Sequence, residues 1–272
     1  WARAGTSGTP GLARGAHPRK AAGDQALGVD LPTLRFQRGR GSVARTLRKA
    51  MPPLPLAAAA ALGPTMLGFW RREYGVSYGY GLAMALIGVL VLLQPGSPAL
   101  TLLAIAHASV HVAYGLRLSL FLLYREVCIP RFRAMREKIE QGAPSTRLAR
   151  APFIVACAFL YLCMSAPVLL SASAPSMCCA LARKAAWLGV GVAAFGLLVA
   201  AWGDTQKSLV KTRKGEKALV TGGIFKYLRH PNYTGELVLW SASTVVGLIS
   251  TVSHFTLMRA ALLAGSFLGL LG

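Results

Sequence analysis

Residues 185–202 read A-A-W-L-G-V-G-V-A-A-F-G-L-L-V-A-A-W, and residues 203–214 directly after them read G-D-T-Q-K-S-L-V-K-T-R-K. The first stretch is 18 residues without a charge. A helix rises 1.5 Å per residue, so about 20 apolar residues cross a ~30 Å hydrocarbon core. Lipid offers no water to satisfy backbone N–H and C=O groups, and the run lacks the two-residue alternation of a barrel strand, so it reads as a membrane helix. Working outward, similar apolar runs occupy residues 52–70, 76–93, 99–124, 151–170 and 237–258, and a last one covers 260–272. The first is interrupted by Pro52, Pro53, Pro55 and Pro64. The expected fold is all-α: a polytopic membrane helical bundle of about six to seven transmembrane helices.

Composition agrees. The 272-residue chain is 54% apolar and 14% charged, against about 25% charged in soluble domains, and its mean hydropathy is +0.49. The net charge of +21 is gathered into three blocks. Residues 1–50 hold ten Lys and Arg against Asp24 and Asp30; residues 125–150 hold seven against three acids; residues 204–230 hold seven against two. The other six basic residues are Arg71, Arg72, Arg117, Arg183, Lys184 and Arg259, and all but Arg117 lie at the edges of apolar runs.

Connections 71–75, 125–150 and 203–236 are two spans apart and so share one face, which the positive-inside rule makes cytosolic or stromal. Connections 94–98 and 171–184 lie opposite. The basic segment 1–50 falls on the wrong face if 52–70 spans. Its Arg-rich, acid-poor composition suits an organellar transit peptide, leaving 51–272 as the membrane domain; the other resolution is that the proline-rich run does not span. A lipid or nucleic-acid role for residues 35–49 would rest on charge alone, and no nucleic-acid partner is expected. A multi-pass protein of the endoplasmic reticulum or a plastid membrane fits both readings. The chain starts at Trp1 and ends inside an apolar run, which reads as an incomplete gene product.

The five cysteines (Cys128, Cys157, Cys163, Cys178, Cys179) form no C-x-x-C pair, and no metal site is expected. His107 and His111 are four apart on one helix face. Histidine-rich di-iron enzymes need about eight His, and this chain has five, so that class is excluded. His107, His111 and Tyr114 still fall within about 60° of one another, with Arg117 about 60° further round. This polar stripe either lines a cavity or ends in an arginine that snorkels to the basic face.

The third basic block carries more information. If the 185–202 helix continues, Asp204, Lys207 and Lys211 lie within about 60° on one face. Two ammonium groups there suit a diphosphate, while the carboxylate bonds a ribose hydroxyl or orients a lysine. Gly215 and Gly222-Gly223 break the chain, and Pro231 suits the first turn of the next helix. Between them, Arg229, His230, Asn232 and Tyr233 cluster just before Glu236. A solvated loop accounts for the Lys and Arg; it leaves the Asn, His, Tyr, Gly and Glu unexplained.

The run G-G-I-F-K-Y-L-R-H-P-N-Y-T-G-E (222–236) resembles the G-G-L-F/W-x-Y-x-R-H-P-N-Y-x-G-E signature of the steroid 5-alpha-reductase superfamily, above all its uncharacterised branch with the C-terminal reductase domain. Asp204-x-x-Lys207-x-x-x-Lys211 is similar to that family's D-x-x-K/R-x-x-x-K/R helix. Tyr114-Gly-Leu-Arg-Leu118, Arg125 and the segment Arg131-Phe-Arg-Ala-Met-Arg136 resemble its arginine-rich helix and loop. The resemblance covers residues 114–240, about half the chain. It implies a membrane reductase that uses NADPH, held in residues 203–272, to reduce a conjugated C=C bond in a lipid, sterol or isoprenoid. Asp204, Lys207, Lys211, Arg229, His230, Asn232 and Tyr233 would contact the cofactor, and Glu236 would brace the loop. The family's basic, Tyr-containing tail after the last span has no counterpart before Gly272, Thr234 replaces the usual Phe or Leu, and the substrate-facing Glu and Tyr have no match among the N-terminal runs. The alternative is a membrane methyltransferase using S-adenosylmethionine, similar to the isoprenylcysteine carboxyl methyltransferases through R-H-P-x-Y; a sulfonium needs no phosphate clamp, so Lys207 and Lys211 favour the reductase. A non-catalytic membrane protein is the third expectation.

Overall fold

Backbone buried in hydrocarbon must bond to itself, and the residues described in this computed structural model (53–94, 101–142, 146–174, 177, 179–215, 217–252 and 256–271) contain helices and no strand. All of them belong to the compact unit Arg40–Gly272. The N-terminal segment 1–50, and with it the transit-peptide expectation, lies outside the described residues, as do Cys178 and most of the 94–98 connection. In chain order the helices are α1 (Leu54–Thr65), α2 (Arg72–Val76), α3 (Tyr78–Leu92), α4 (Leu102–Cys128), α5 (Pro130–Gln141), α6 (Ala151–Ala172), α7 (Ala180–Lys214), α8 (Pro231–Val252) and α9 (Leu257–Leu271).

Among the described residues, five helical stretches are long and apolar enough to cross a membrane: Arg72–Leu92, Leu102–Cys128, Arg147–Ala172, Ala180–Lys214 and Pro231–Val252. The first and last of the seven expected spans are instead shorter apolar helices, Leu54–Phe69 and Leu257–Gly269. Proline explains the first. Pro64 enters the end of α1, Thr65 turns its hydroxyl back onto the Leu62 carbonyl (2.7 Å), and the chain tightens into a 3-10 turn, Met66–Phe69. A 12-residue α-helix reaches about 18 Å, well short of the hydrocarbon thickness.

Helix α7 runs unbroken for 35 residues, through the apolar stretch and on past Lys214 to Gly215, whose φ of 86° ends it in a conformation that side chains resist. Its partner α8 starts at Pro231, in the first-turn position expected. The two backbones nearly touch. A Cβ on Gly196 would meet the Gly235 carbonyl at 2.6 Å, and one on Gly235 would meet the Gly196 carbonyl at 2.5 Å. Small residues at such crossings are how membrane helices gain dispersion contact without a hydrophobic drive. Two turns further along α7, a Cβ on Gly203 would meet the Asn232 nitrogen at 2.9 Å, so the start of α8 is pressed against α7 just where α7 turns polar.

The polar stripe of α4 faces inward: His107, His111 and Tyr114 are all fully buried. Ser171 donates its hydroxyl to the Val168 carbonyl (2.9 Å), so its oxygen accepts from His107 Nδ1–H (2.9 Å). The Ser243 hydroxyl then donates to His107 Nε2 (2.7 Å). One imidazole thereby ties α4 to α6 and α8, with every polar atom satisfied.

The basic connections meet at one end of the bundle. The Arg72 N–H donates to Glu140 Oε2 (3.0 Å) and Arg150 pairs with Glu140 Oε1 (2.6 Å), joining α2, α5 and the start of α6. Nearby, Arg136 is 5% exposed, pairs with Glu126 at 2.5 Å and Glu73 at 3.6 Å, and lies about 5 Å over the rings of Tyr74 and Tyr78. Both tyrosines donate their hydroxyls to Glu126. This network fastens the amphipathic α5 across the ends of α2, α3 and α4.

Candidate functional site

With α5 fastened, a cavity of ≈ 600 Å³ is left between it and the polar end of α7. Four segments line it. The end of α4 supplies Phe121 and Arg125, the first turns of α5 supply Arg131 and Phe132, α7 supplies Asp204, Lys207 and Lys211, and the first turn of α8 supplies Asn232 and Tyr233. Each arrives for a local reason. Ile129 is extended and Pro130 fixes the first turn of α5, which folds Phe132 back under α4; the Arg125 guanidinium then sits 3.5 Å from the Phe132 ring centre. The continuous helix α7 carries Lys207 and Lys211 on the face predicted from their spacing, and the close α7–α8 crossing delivers Asn232 and Tyr233.

Asp204 already has a partner. Arg117 reaches from α4 to donate to Asp204 Oδ2 (2.5 Å) and to the Ala200 carbonyl (2.9 Å). The two side chains are 18% and 13% exposed, so this is a largely desolvated pair. Arg117 therefore neither snorkels into solvent nor lines the cavity; it braces α7 and fixes the carboxylate.

The loop before α8 is held from α7 as well. Gln206 donates Nε2–H to the Gly222 carbonyl (2.7 Å) and accepts from the Ile224 N–H at Oε1 (3.2 Å). Gly223 has φ of 59°, and a Cβ there would run into the Gln206 amide. Glu236, expected to brace this loop, instead sits half-buried inside the bundle, its neighbours being Tyr114, Arg117 and Asp204. Arg229 and His230 are exposed and lie outside the cavity lining, with the His230 ring edge-on to Tyr233 at 6.0 Å. Of the eight residues singled out by pattern, the fold thus brings Asp204, Lys207, Lys211, Asn232 and Tyr233 to one cavity and leaves Arg229, His230 and Glu236 outside it. Arg125 and Arg131, noted above only as part of an arginine-rich segment, complete its cationic wall. Phe121, Phe132 and Gln206 gave no signal in the sequence.

Outside the spans, Glu140 has a perturbed carboxyl. Partial burial works against its charge, but the Arg72 N–H and the Arg150 guanidinium outweigh that and hold it below the usual carboxylate range.

The sequence model of one family, described as a protein of unknown function (DUF1295), matches residues 71–271. The chain belongs to the DUF1295 family. The matched region of this DUF1295 chain takes in every wall of the cavity, from α4 to α8. No curated protein and no solved structure matches it.

Proposed function

We propose that this DUF1295 protein is an integral-membrane reductase that holds NADPH in the ≈ 600 Å³ cavity and reduces a conjugated C=C bond in a lipid, sterol or isoprenoid. The supporting observation is the charge of the cavity wall. Arg125, Arg131, Lys207 and Lys211 line it against a single carboxylate, Asp204, and that carboxylate is neutralised by Arg117. Such a wall suits a ligand with several negative charges, and guanidinium and ammonium groups are the side chains that bond phosphate oxygens. The faces of Phe121, Phe132 and Tyr233 offer flat surfaces for a nucleobase. The volume falls in the range of small-molecule sites. The family is associated with steroid 5-alpha-reductase-like proteins, which is the same direction.

When bound, the dinucleotide would supply hydride. The protein's own part is to neutralise the phosphates with Lys207, Lys211, Arg125 and Arg131, to keep Asp204 fixed through Arg117, and to hold the loop before α8 in place through Gln206. The wall is over-equipped for S-adenosylmethionine, whose sulfonium is itself a cation and has no phosphate.

Titration of the detergent-purified chain with NADPH, NADH and S-adenosylmethionine tests this. NADPH is expected to bind best. Replacing Lys207 or Lys211 with Ala should weaken it roughly 10- to 100-fold each, the loss of one charge-assisted hydrogen bond of about 1.5–3 kcal/mol. Binding of S-adenosylmethionine alone, or of none of the three, overturns the proposal.

A further inference from the structure

Arg229 and His230 stand out in the sequence, yet they lie outside the cavity. They belong to a segment, residues 217–235, that carries Lys217, Lys226 and Arg229 and no carboxylate. Lys226, Arg229 and His230 are exposed, and Tyr227 is 80% exposed. Among the described residues neither Lys226 nor Arg229 has an ion-pair partner; the Lys226 ammonium lies 5.8 Å from the Tyr227 ring centre.

Depth decides what this patch faces. Trp202, 66% exposed, closes the apolar run of α7, and an exposed Trp there marks the boundary between hydrocarbon and headgroups. The segment is tied to α7 at two heights. Gln206 holds Gly222 and Ile224 four residues, or about 6 Å, beyond Trp202, and Gly203 abuts Pro231 and Asn232 at the boundary itself. Between these ties the chain stays compact: Gly223–Lys226 is a 3-10 turn, and the Leu228 N–H donates to the Ile224 carbonyl at 3.0 Å. The stretch from Ile224 to His230 is thus anchored within about 6 Å of the hydrocarbon edge, beside a headgroup layer about 5–8 Å thick. Side chains exposed at that depth meet lipid headgroups.

We propose that Lys226, Arg229 and His230 hold the phosphate of an anionic phospholipid, with Tyr227 set among the headgroups. A phosphodiester accepts from an ammonium, a guanidinium and an imidazole N–H. A zwitterionic headgroup brings the same phosphate together with an ammonium that the two cations repel, so the patch discriminates by net charge. Each juxtamembrane cation raises affinity for an anionic lipid about fivefold. None of the three residues lines the cationic cavity, so the proposal stands whatever that cavity binds.

Photo-crosslinking of the full chain in phosphatidylcholine nanodiscs tests it without any dinucleotide. Two trace probes carry the same acyl chains and a diazirine beside the glycerol ester; one has a phosphoglycerol and the other a phosphocholine headgroup. The anionic probe is expected to label residues 222–233 at least 10-fold more than the zwitterionic one, two charges at about fivefold each. Lys226→Gln and Arg229→Gln should each lower that labelling about fivefold. The control removes two charges from the end of α7, Arg213→Gln with Lys214→Gln. Those residues stand about 17–18 Å beyond Trp202, past the headgroups and past a Debye length of about 8–10 Å, and the labelling should be unchanged. Equal labelling by the two probes in the unmutated protein overturns the proposal, and so does an equal drop in the control, which would reduce the effect to overall charge.

Discussion

The Arg117–Asp204 pair separates a structural carboxylate from a ligand-binding one. Replacing Asp204 with Ala strands a guanidinium that is 18% exposed and already has one buried nitrogen, Nη1, without a partner. With charge centres about 4 Å apart and an effective dielectric of about 20, the direct attraction is about 4 kcal/mol. Breaking a buried pair from one side costs about 3–5 kcal/mol, because the remaining charge stays desolvated. Removing both charges with packed apolar groups is often neutral. The expected result is a loss of about 3–4 kcal/mol for Asp204→Ala and for Arg117→Met alone, and of under about 1.5 kcal/mol for Arg117→Met with Asp204→Leu. The assay is reversible unfolding in mixed micelles, followed by tryptophan fluorescence, with the coupling taken from the double-mutant cycle. Two single losses that simply add would refute the pairing. Full stability in Asp204→Ala combined with lost dinucleotide binding would show a carboxylate kept for the ligand rather than for the fold.

Three further outcomes are expected. Gly235→Val places side-chain atoms where a Cβ already meets the Gly196 carbonyl at 2.5 Å and should cost about 2–3 kcal/mol, whereas Gly222→Ala, with nothing within 4 Å, should change stability by less than about 0.5 kcal/mol; equal effects in unfolding experiments would contradict the close α7–α8 crossing. Because the folded Glu140 carboxyl titrates below its unfolded value, its clamp contributes fully above the unfolded pKa of about 4.3 and is lost as pH falls through the folded value; the acid limb of the stability curve should flatten in Glu140→Gln, and an unaltered limb would exclude the clamp. Cys128 and Cys179 are both exposed near opposite ends of the bundle, so with Cys178 replaced by Ser an impermeant maleimide should reach them from opposite sides of sealed vesicles, and labelling of both from one side would refute the topology.

The long elements were legible because hydrophobicity and helix breakers act locally. The run 185–202, the continuation of α7 to Gly215 and the start of α8 at Pro231 each follow from neighbouring residues. The common face of Asp204, Lys207 and Lys211 needed only the helical period. What escaped depends on partners far along the chain. Arg117 and Asp204 are 87 residues apart, and nothing near Arg117 distinguishes an arginine that snorkels from one that reaches a second helix. Gln206 resembles any polar residue on an exposed helix end until the loop folds back onto it. Glu236 was read with the loop it follows in sequence, although the α-helical turn carries it inward toward Tyr114. The N-terminal proline-rich run shows the same limit in reverse: its apolar content promised a span, and Pro64 shortened it to a helix that reaches only part of the way.

The unbroken length of α7 has a mechanical consequence. A 35-residue helix is a rod of about 52 Å, and its hydrocarbon-embedded part cannot lean without carrying Lys207 and Lys211 with it. Membrane helices adjust to a thinner or thicker bilayer by tilting. A 5° lean about the bilayer centre would move a point 25 Å along the rod by roughly 2 Å, comparable to the difference between a hydrogen bond made and one lost. Bilayer thickness thereby becomes a variable of the cationic wall, transmitted by a lever that has no hinge between lipid and ligand.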